Sequence, residues 1–373
     1  MRVLICPDSF TGTLSASEAA LAIREGWLAT SPADDITLCP LSDGGPGFAS
    51  AMAHALGGEA ILCEVQGPAG DKVSAQWTKV GATAFIESAE ACGMHLVENS
   101  TIWQRTTYGV GQLIAQAIDA GCTHVVVGLG GSGTNDAGIG ALLALGAVAH
   151  DVDGKNLSDS ITPERFQQIE SFDVSKAQQR TAGITIEIAT DVDNPLLGLR
   201  GASREYGPQK GATDIDVIKL EAALEHIHGV LGRKADGKDP AVALGAGAAG
   251  GLGYGLMWLG GVRTPGISRI HQALGFEDLV ADADIIVTGE GHFDWQSLRG
   301  KVVHGVAEVA LNHAVPVVVV AGQVSIGRRD WGNIGVSAAY SMSEDVGLDE
   351  SITHAFDSLR LVAARAAKTW ARG

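Results

Sequence analysis

Basic residues are scarce in this chain. Its 373 residues include 26 Lys and Arg against 43 Asp and Glu, which gives a formal net charge of −17 at pH 7. A surface that binds nucleic acid or an anionic membrane needs a basic patch, so we expect neither partner. A small anionic ligand stays compatible with this charge if a few cations or a Mg²⁺ ion lie at its site.

Paired cysteines and long apolar runs are also lacking. The five cysteines (Cys6, Cys39, Cys63, Cys92 and Cys122) form no CxxC pair, which argues against a zinc site and a disulfide framework. The first residues have no apolar core of the signal-peptide kind, and no run is long enough to span a membrane. The sequence therefore predicts a cytoplasmic protein without a membrane segment.

Aromatic residues are few, whereas glycine is abundant. Aromatics make up 5% of the chain, 46% of the residues are hydrophobic and 50 are glycine. This composition excludes disorder and is typical of an α/β protein with many tight turns between strands and helices. The length is sufficient for two domains.

The order of apolar runs predicts the domain organisation. Residues 1–66 read as strand, helix, strand, helix and strand, the unit of a doubly wound parallel sheet. After Gly67 the pattern changes to an antiparallel ribbon, and strand–helix alternation restarts near residue 284. We therefore predict an α/β fold with a discontinuous Rossmann-like domain (1–66 and 284–373), an inserted α/β domain (67–283) and a central cleft.

A glycine-rich turn follows the apolar run 125–127. Its segment Gly128-Leu-Gly-Gly-Ser-Gly133 matches the dinucleotide fingerprint GxGxxG, with Asp151 or Asp153 as the acid for a ribose. A second match, 245–250, has no clear strand before it. One hypothesis is thus a nicotinamide-dependent oxidoreductase, and the alternative is that the glycines serve close helix–strand packing. The sequence contains neither a Walker phosphate loop nor the protein-kinase motifs.

Carboxylates at the ends of predicted strands indicate a different chemistry. They are Asp8, Asp43, Asp191 with Asp193, Glu290 and, just beyond a strand, Asp136. Ligands of open α/β sheets bind beyond these strand ends, and clustered acids suit a Mg²⁺ ion that carries a nucleotide phosphate. A single turn aspartate more often caps a helix or forms an Asx-turn. Several in equivalent places favour phosphoryl transfer, for which Lys210 and Lys301 are candidate counter-charges or ordinary solvated lysines.

Motif blocks in collinear order over nearly the whole chain carry a family resemblance. They are Pro7-Asp8-Ser9-Phe10, Ser42-Asp43-Gly44-Gly45, 105–109 (RTTYG), 130–136 (GGSGTND), 191–196 (DVDNPL), 207–212 (GPQKGA), 245–253 (GAGAAGGLG) and Thr288-Gly289-Glu290-Gly291. The chain resembles the bacterial glycerate kinases of type 1. The resemblance implies two α/β domains around a cleft and phosphorylation of D-glycerate to 2-phosphoglycerate with ATP and Mg²⁺. A kinase for a related small hydroxy acid is the alternative.

Within this expectation the candidate residues receive roles. Asp191 is the first choice to orient or deprotonate the hydroxyl group, with Asp193 and Asp43 as alternates. The metal is expected at Asp136, Glu290 and Asp294. The residues expected to bind substrate or phosphate are Asp8, Ser9, Thr11, Gly44, Gly45, Gly130, Gly131, Ser132, Thr134, Asn135, Lys210 and Lys301. The expected partners are glycerate and a nucleotide, and the oligomeric state stays open.

Three positions depart from the family pattern. Thr11 stands where Lys is usual, Pro46 where Glu is usual, and His292 where Arg is usual. The candidate acids and glycine turns of the family pattern are retained. The three departures therefore bear on the identity of the substrate more than on catalytic activity. A third hypothesis is a binding or sensor protein without turnover. An assay of ATP consumption with a panel of hydroxy acids separates the three hypotheses.

Overall fold

The computed structural model describes residues 1–10, 12–42, 44–45, 47–98, 100–157, 161–267, 271, 274–298 and 301–371. The chain divides into two compact units. Unit 1 comprises Met1–Ala51 with Pro265–Gly373, and unit 2 comprises Met52–Thr264. The domain limits expected from the sequence were 66/67 and 283/284.

The strands alternate with helices along most of the chain. The strands are β1 (Arg2–Ile5), β2 (Asp35–Leu38), β3 (Glu59–Gln66), β4 (Lys72–Val80), β5 (Thr83–Glu87), β6 (His124–Gly128), β7 (Val148–His150), β8 (Ser171–Asp173), β9 (Thr185–Ala189), β10 (Val262–Thr264), β11 (Ile285–Phe293), β12 (Val317–Val324) and β13 (Val336–Ser341). The α/β class predicted from the sequence is confirmed.

The described α-helices are α1 (Ala16–Thr30), α2 (Phe48–Leu56), α3 (Ala89–Cys92), α4 (Tyr108–Asp119), α5 (Ile139–Ala144), α6 (Ser175–Arg180), α7 (Ala202–Tyr206), α8 (Asp214–Leu231), α9 (Ala248–Trp258), α10 (Phe276–Asp282), α11 (Val302–Asn312), α12 (Arg328–Gly332), α13 (Met342–Val346), α14 (Leu348–Thr353) and α15 (Ala355–Trp370). Short 3₁₀ helices occur at Met94–Leu96, Ile102–Gln104, Pro163–Gln168, Pro208–Lys210 and Pro240–Val242. Across these described segments, none of the helices has the length and apolar character needed to cross a membrane.

Unit 1 contains a parallel sheet of five strands in the order β13-β12-β11-β1-β2. All four neighbouring pairs are parallel. Numbered by their order in unit 1, the strands follow the 2-1-3-4-5 pattern of doubly wound sheets. The chain leaves β1 for β2 on one side and returns at β11 on the other. The boundary between β1 and β11 is therefore the topological switch point of this sheet.

Helix α1 begins at a capping box, as its sequence predicts. The Glu18 amide donates to Ser15 Oγ (3.2 Å), and the Ser15 amide donates to Glu18 Oε2 (2.9 Å). The buried face of the helix carries Ile23 and Trp27, and it packs with α15 and the sheet in one apolar core. The N-terminal and C-terminal segments of the chain thus share this core.

Unit 2 contains a mixed sheet of six strands in the order β10-β9-β6-β5-β4-β3. Strands β3, β4 and β5 pair antiparallel, and the others pair parallel. Residues 61–65, predicted as the third strand of the first domain, lie in β3 at the edge of this sheet. The reason is the tight turn closed by the Gly67 amide on the Asp71 carbonyl (2.7 Å), because such a short connection joins antiparallel neighbours.

Substitution by alanine is predicted to change the free energy of unfolding in opposite directions at two glycines in helices. A Cβ on Gly26 in α1 would lie 2.1 Å from the Arg360 carbonyl oxygen of α15, whereas a Cβ on Gly229 in α8 would meet no atom of the described chain within 4 Å. We expect Gly26→Ala to lower the free energy of unfolding by about 2 kcal/mol or more, because backbone must move. Gly229→Ala, the matched control, is expected to raise it by about 0.5–1 kcal/mol. Urea denaturation measures both, and a stabilised Gly26→Ala variant would contradict the close helix contact.

Candidate active site

Two carboxylates lie at the switch point of the unit 1 sheet. The Asp8 amide donates to the Gly289 carbonyl (2.8 Å), which places Asp8, just past the end of β1, beside Glu290 of β11. Glu290 is buried, with 6% of its surface exposed, and Asp8 is half-buried. The Ser9 amide donates to Asp8 Oδ1 (2.7 Å) and fixes that carboxylate. Open α/β sheets bind their ligands at such a position.

The loop that follows β2 approaches the same strand end. The Leu41 amide donates to the Pro7 carbonyl (2.9 Å), and the buried Ser42 hydroxyl donates to the Gly45 carbonyl (3.1 Å). Gly44, at a φ of +96°, occupies the left-handed region that favours glycine. The predicted residues Gly44 and Gly45 therefore belong to a turn held beside β1. Three residues singled out from the sequence, Thr11, Asp43 and Pro46, fall outside the described part of the chain.

The other predicted residues of unit 1 follow Glu290 along the chain. His292 Nε2 lies 2.6 Å from Ser325 Oγ, so this histidine is paired with the end of β12. Asp294 Oδ1 accepts the Gln296 amide (2.8 Å) in an Asx-turn. Lys301 stands at the N-cap position of α11. Of the expected acids of unit 1 that the structure describes, Asp8 lies just past β1 and Glu290 lies in the adjacent strand β11.

In unit 2 the segment 129–138, here called the glycine loop, joins β6 to α5. Asp136 in this loop is completely buried, and its carboxylate is used within unit 2. It accepts bonds from Thr107 N (2.8 Å), Thr107 Oγ1 (2.8 Å), Gly138 N (3.1 Å), Gly140 N (3.2 Å) and Thr106 Oγ1 (3.5 Å). Burial raises the pKa of Asp136 although these donors oppose the shift. Asp136 therefore stabilises the glycine loop by linking it to the start of α4 and to α5.

Two buried cations lie beneath the glycine loop. Lys210 Nζ donates to Ser132 Oγ (3.0 Å) and to the Thr134 carbonyl (2.7 Å). Arg105 Nη1 donates to the carbonyls of Gly133 (3.1 Å) and Lys210 (2.9 Å). Burial lowers the pKa of Lys210 to about 8, against smaller opposing effects of Cys92 and Asp136. Lys210 is thus bonded to one hydroxyl and one backbone carbonyl, and Arg105 Nη1 to two backbone carbonyls.

Glycines 250 and 251 pack directly against the loop. A Cβ on Gly250 would lie 2.0 Å from the Thr134 carbonyl oxygen, and the Ala137 amide donates to the Gly250 carbonyl (3.0 Å). Facing non-glycine residues Ala137 (φ +55°) and Ala249 (φ +51°) are held in the left-handed region, a strain that packing must offset. The second GxGxxG match therefore serves close packing on the glycine loop, whereas the alternative interpretation expected packing of a helix on a strand.

The first GxGxxG match lacks dinucleotide-binding geometry. In the fingerprint the third glycine opens the helix, whereas α5 begins only at Ile139, well past Gly133. Asp151, the expected ribose acid, accepts the amides of Asp153 (3.0 Å) and Lys155 (2.9 Å) in a turn after β7. Strand β7 pairs antiparallel with β8 in a separate small sheet. These observations weigh against the oxidoreductase hypothesis.

The backbone of the acidic segment that follows β9 is held by hydrogen bonds from an arginine. The Arg263 guanidinium donates to the carbonyls of Asp191 (3.2 Å) and Val192 (3.1 Å). The carboxylate of Asp193 pairs with Arg200 (3.2 Å) where both side chains are more than half exposed. Asn194 Oδ1 accepts the Tyr206 hydroxyl (2.8 Å). Asp191 and Asp193 thus lie in the same segment after β9 in unit 2, and the carboxylate of Asp193 has Arg200 beside it.

The sequence-predicted residues fall into two groups, one in each unit. Unit 1 holds Asp8, Ser9, Gly44, Gly45, Glu290, Asp294 and Lys301, and unit 2 holds Gly130, Gly131, Ser132, Thr134, Asn135, Asp136, Asp191, Asp193 and Lys210. The expected metal residue Asp136 is therefore in a different unit from Glu290 and Asp294. Among the residues described, no group of three or more His, Cys, Asp or Glu side chains is arranged to hold a metal ion.

Sequence reasoning missed the buried charges that brace these loops. Arg105 was named in the sequence only as part of a motif block, and Glu221 was not among the candidate functional residues. Glu221 in α8 is buried and accepts the Gly198 amide (2.6 Å), and burial raises its pKa. Its helical spacing from Val217 and Leu224 was a usable signal, since it places the carboxylate on the apolar face.

Comparison with known proteins gives consistent matches along the chain. A family model described as the glycerate kinase family matches residues 3–371. A glycerate 2-kinase of Escherichia coli K12 is 39% identical, covering 100% of this chain and 99% of the relative. A glycerate kinase of Halalkalibacterium halodurans is 38% identical over 97% of this chain and 96% of its own. A crystal structure from Salmonella typhimurium LT2, assigned as glycerate kinase 2, superposes with a TM-score of 0.76 at 36% identity, covering 99% and 98% of the two chains.

These matches define the class of the protein as a kinase, an enzyme that takes a nucleotide substrate. The chain belongs to the glycerate kinase family. The resemblance inferred from the motif blocks is thereby confirmed.

The buried ammonium of Lys210 predicts a pH effect on stability. Its pKa is about 8 in the folded protein against an ordinary 10.5. Between these pH values the unfolded chain carries a proton that the folded chain lacks, so raising the pH favours the folded state. We expect the free energy of unfolding of the wild type to rise relative to Lys210→Met by about 1 kcal/mol per pH unit in this interval.

Urea denaturation at about pH 7.5 and about pH 9.5 measures this difference, and comparison with the variant cancels the titration of other groups. Lys219→Met, on the exposed side of α8, is the control for the loss of one positive charge. A difference between wild type and Lys210→Met that stays constant with pH would contradict the assignment.

Proposed function

We propose that the protein transfers the γ-phosphoryl group of ATP to D-glycerate and forms 2-phosphoglycerate, with Mg²⁺ as the metal. The observation that carries this proposal is the pair of carboxylates, Asp8 and Glu290, at the switch point of the parallel sheet in a chain of this family. The name of the Escherichia coli relative, glycerate 2-kinase, supports the choice of the phosphorylated hydroxyl.

The donor set of unit 1 fits Mg²⁺. Asp8, just past β1, and Glu290, in β11 beyond its pairing with β1, supply hard carboxylate oxygens. Mg²⁺ is usually held by one or two carboxylates together with phosphate oxygens and water. Bound there, the ion would neutralise charge on the transferred phosphoryl group. Asp294, directly after the end of β11, is a further candidate. Asp136 is not among the proposed metal ligands, because its carboxylate oxygens already accept hydrogen bonds from the amides of Thr107, Gly138 and Gly140.

The glycine loop is our candidate for binding the carboxylate of the hydroxy acid or a phosphate. Gly131 is exposed and Gly130 is half-exposed, so a ligand can approach their backbone without meeting a Cβ. The hydroxyls of Ser132 and Thr134 and the amide of Asn135 lie in the same segment but are buried. In this arrangement exposed backbone contacts the anion, and the buried side chains shape the loop.

Asp191 is our candidate to orient the attacking hydroxyl and take its proton. Its backbone is held by Arg263, and its side chain is half-buried at the end of β9. A carboxylate fits this role because phosphoryl transfer depends mainly on positioning, with a base that accepts the proton late. Asp193 is the alternate, and its carboxylate pairs with Arg200.

The proposal predicts ADP release that depends on D-glycerate and on Asp191. We expect Asp191→Asn to lower kcat by about 10²- to 10⁴-fold, and Asp193→Asn, the matched control in the same turn, to lower it by less than about tenfold. A coupled assay of ADP measures turnover, and phosphorus NMR distinguishes 2- from 3-phosphoglycerate. Unchanged turnover of Asp191→Asn would remove this residue from the chemistry.

The same assay tests the alternatives. Turnover with another hydroxy acid but not with D-glycerate would indicate a kinase for a related substrate. Binding of glycerate or nucleotide without ADP release would indicate a non-catalytic binding protein.

Metal dependence gives a second prediction. We expect chelation by EDTA to abolish ADP release and added Mg²⁺ to restore it. Glu290→Gln is expected to raise the Mg²⁺ concentration needed for half-maximal activity by about tenfold or more, because one charged ligand is lost. Glu277→Gln, whose carboxylate is 78% exposed in the same unit, is the control. An identical Mg²⁺ requirement in both variants would argue against Glu290 as a ligand.

A further inference from the structure

Arg105 and Lys210, here called the cation clamp, make a set of bonds that is unusual for cations of a phosphate site. The exposed fractions of the two residues are 6% and 4%. Arg105 donates from Nε to Ser100 Oγ (3.1 Å), from Nη2 to the Ser100 carbonyl (2.6 Å), and from Nη1 to Gly133 and Lys210. Lys210 in turn donates to Ser132 and Thr134 of the glycine loop. The clamp therefore connects three chain segments.

The donors of the clamp are largely committed to the protein. Two of the three ammonium protons of Lys210 have acceptors in the loop, and the guanidinium of Arg105 makes four bonds. Burying a charged group is costly unless hydrogen bonds compensate, and removing such a group leaves buried acceptors without donors. A direct bond from Lys210 to a phosphate would require at least one of these contacts to be replaced.

The clamp acts on two consecutive peptide groups of the loop. Gly133 directs its carbonyl to Arg105, and Thr134 directs its carbonyl to Lys210. In a trans peptide the N–H group points opposite to the carbonyl. The amides of Thr134 and Asn135 are therefore turned away from the cations, and the orientation of this part of the loop depends on both side chains.

We propose that the cation clamp fixes the conformation of the glycine loop, and that Arg105 and Lys210 are positioning residues that act through the loop instead of contacting the phosphate. The inference rests on the proposed function for its catalytic consequence, but its structural part stands apart from it. From the sequence, Lys210 is expected to neutralise the charge of a ligand directly. The proposal gives it an indirect role instead, through the conformation of the glycine loop.

Hydrogen exchange of the free protein tests the structural part without any substrate. Peptides that cover residues 129–138 are followed by mass spectrometry in wild type, Arg105→Lys and Lys210→Met. We expect exchange in these peptides to be about tenfold faster in both variants, since each loses bonds to loop carbonyls. Arg180→Lys is the control, because Arg180 pairs with Asp119 at the surface of the same unit. Unchanged loop exchange in both variants would overturn the proposal.

A milder substitution tests the clamp in a protein that is expected to stay folded. Ser100→Ala keeps both cations and removes only the hydroxyl that accepts from Arg105 Nε. We expect a smaller acceleration of loop exchange, about threefold, with global protection in β6 and β9 unchanged. Loss of protection throughout unit 2 in this variant, without a selective effect on the loop, would count against a local clamp.

Kinetics of the two single variants and the double variant test the catalytic consequence. If both residues act through one loop, each substitution lowers kcat by about 10- to 100-fold and the double variant is little worse than either, since coupled residues are not additive. Direct contact predicts instead that Lys210→Met raises the KM for the nucleotide while Arg105→Lys does not, and that result would overturn the positioning role. A wild type without D-glycerate-dependent ADP release, but with the expected exchange pattern, would refute the proposed function and leave the clamp intact.

Discussion

The burial of charge beneath the glycine loop is the constraint on which the candidate site of unit 2 depends. Asp136, Arg105 and Lys210 are almost completely removed from solvent, and each is hydrogen-bonded to backbone groups of the glycine loop. A glycine-rich segment has little intrinsic preference for one conformation. Here the preference comes from charged hydrogen bonds on one side and from the backbone of Gly250 on the other. The rigidity of the loop is thus supplied by its surroundings.

The two units place their chemistry at strand ends in different ways. Unit 1 presents carboxylates where a parallel sheet reverses its winding, which suits a metal-bound phosphate. In our proposal, unit 2 contributes the backbone of Gly130 and Gly131 and the half-buried carboxylate of Asp191 to binding of a small hydroxy acid. Phosphoryl transfer needs both functions, positioning and neutralisation of charge, and little covalent chemistry from the protein. The scarcity of Lys and Arg relative to Asp and Glu in the sequence agrees with a metal ion as the source of positive charge.

Local structure was largely predictable from the sequence, whereas tertiary pairing was not. The capping box of α1 follows from the spacing of Ser15 and Glu18, and the structure has both of its hydrogen bonds. The strand β3 was assigned to the wrong partner strands, because an apolar run does not reveal which neighbour it pairs with. The same limit applied to Lys210. Its place beside glycines was visible, but its burial under the loop arises from packing of distant segments.

The shared core of α1 and α15 has a consequence for synthesis of the chain. Strand β1 lies between β2 and β11, and α1 packs on α15, so the first 51 residues find their remaining partners only after residue 264. During translation, the apolar face with Ile23 and Trp27 stays uncovered while all of unit 2 emerges. Unit 2 is contiguous and can fold first. The nascent N-terminal segment is therefore the part of this protein that most needs protection from aggregation before the chain leaves the ribosome.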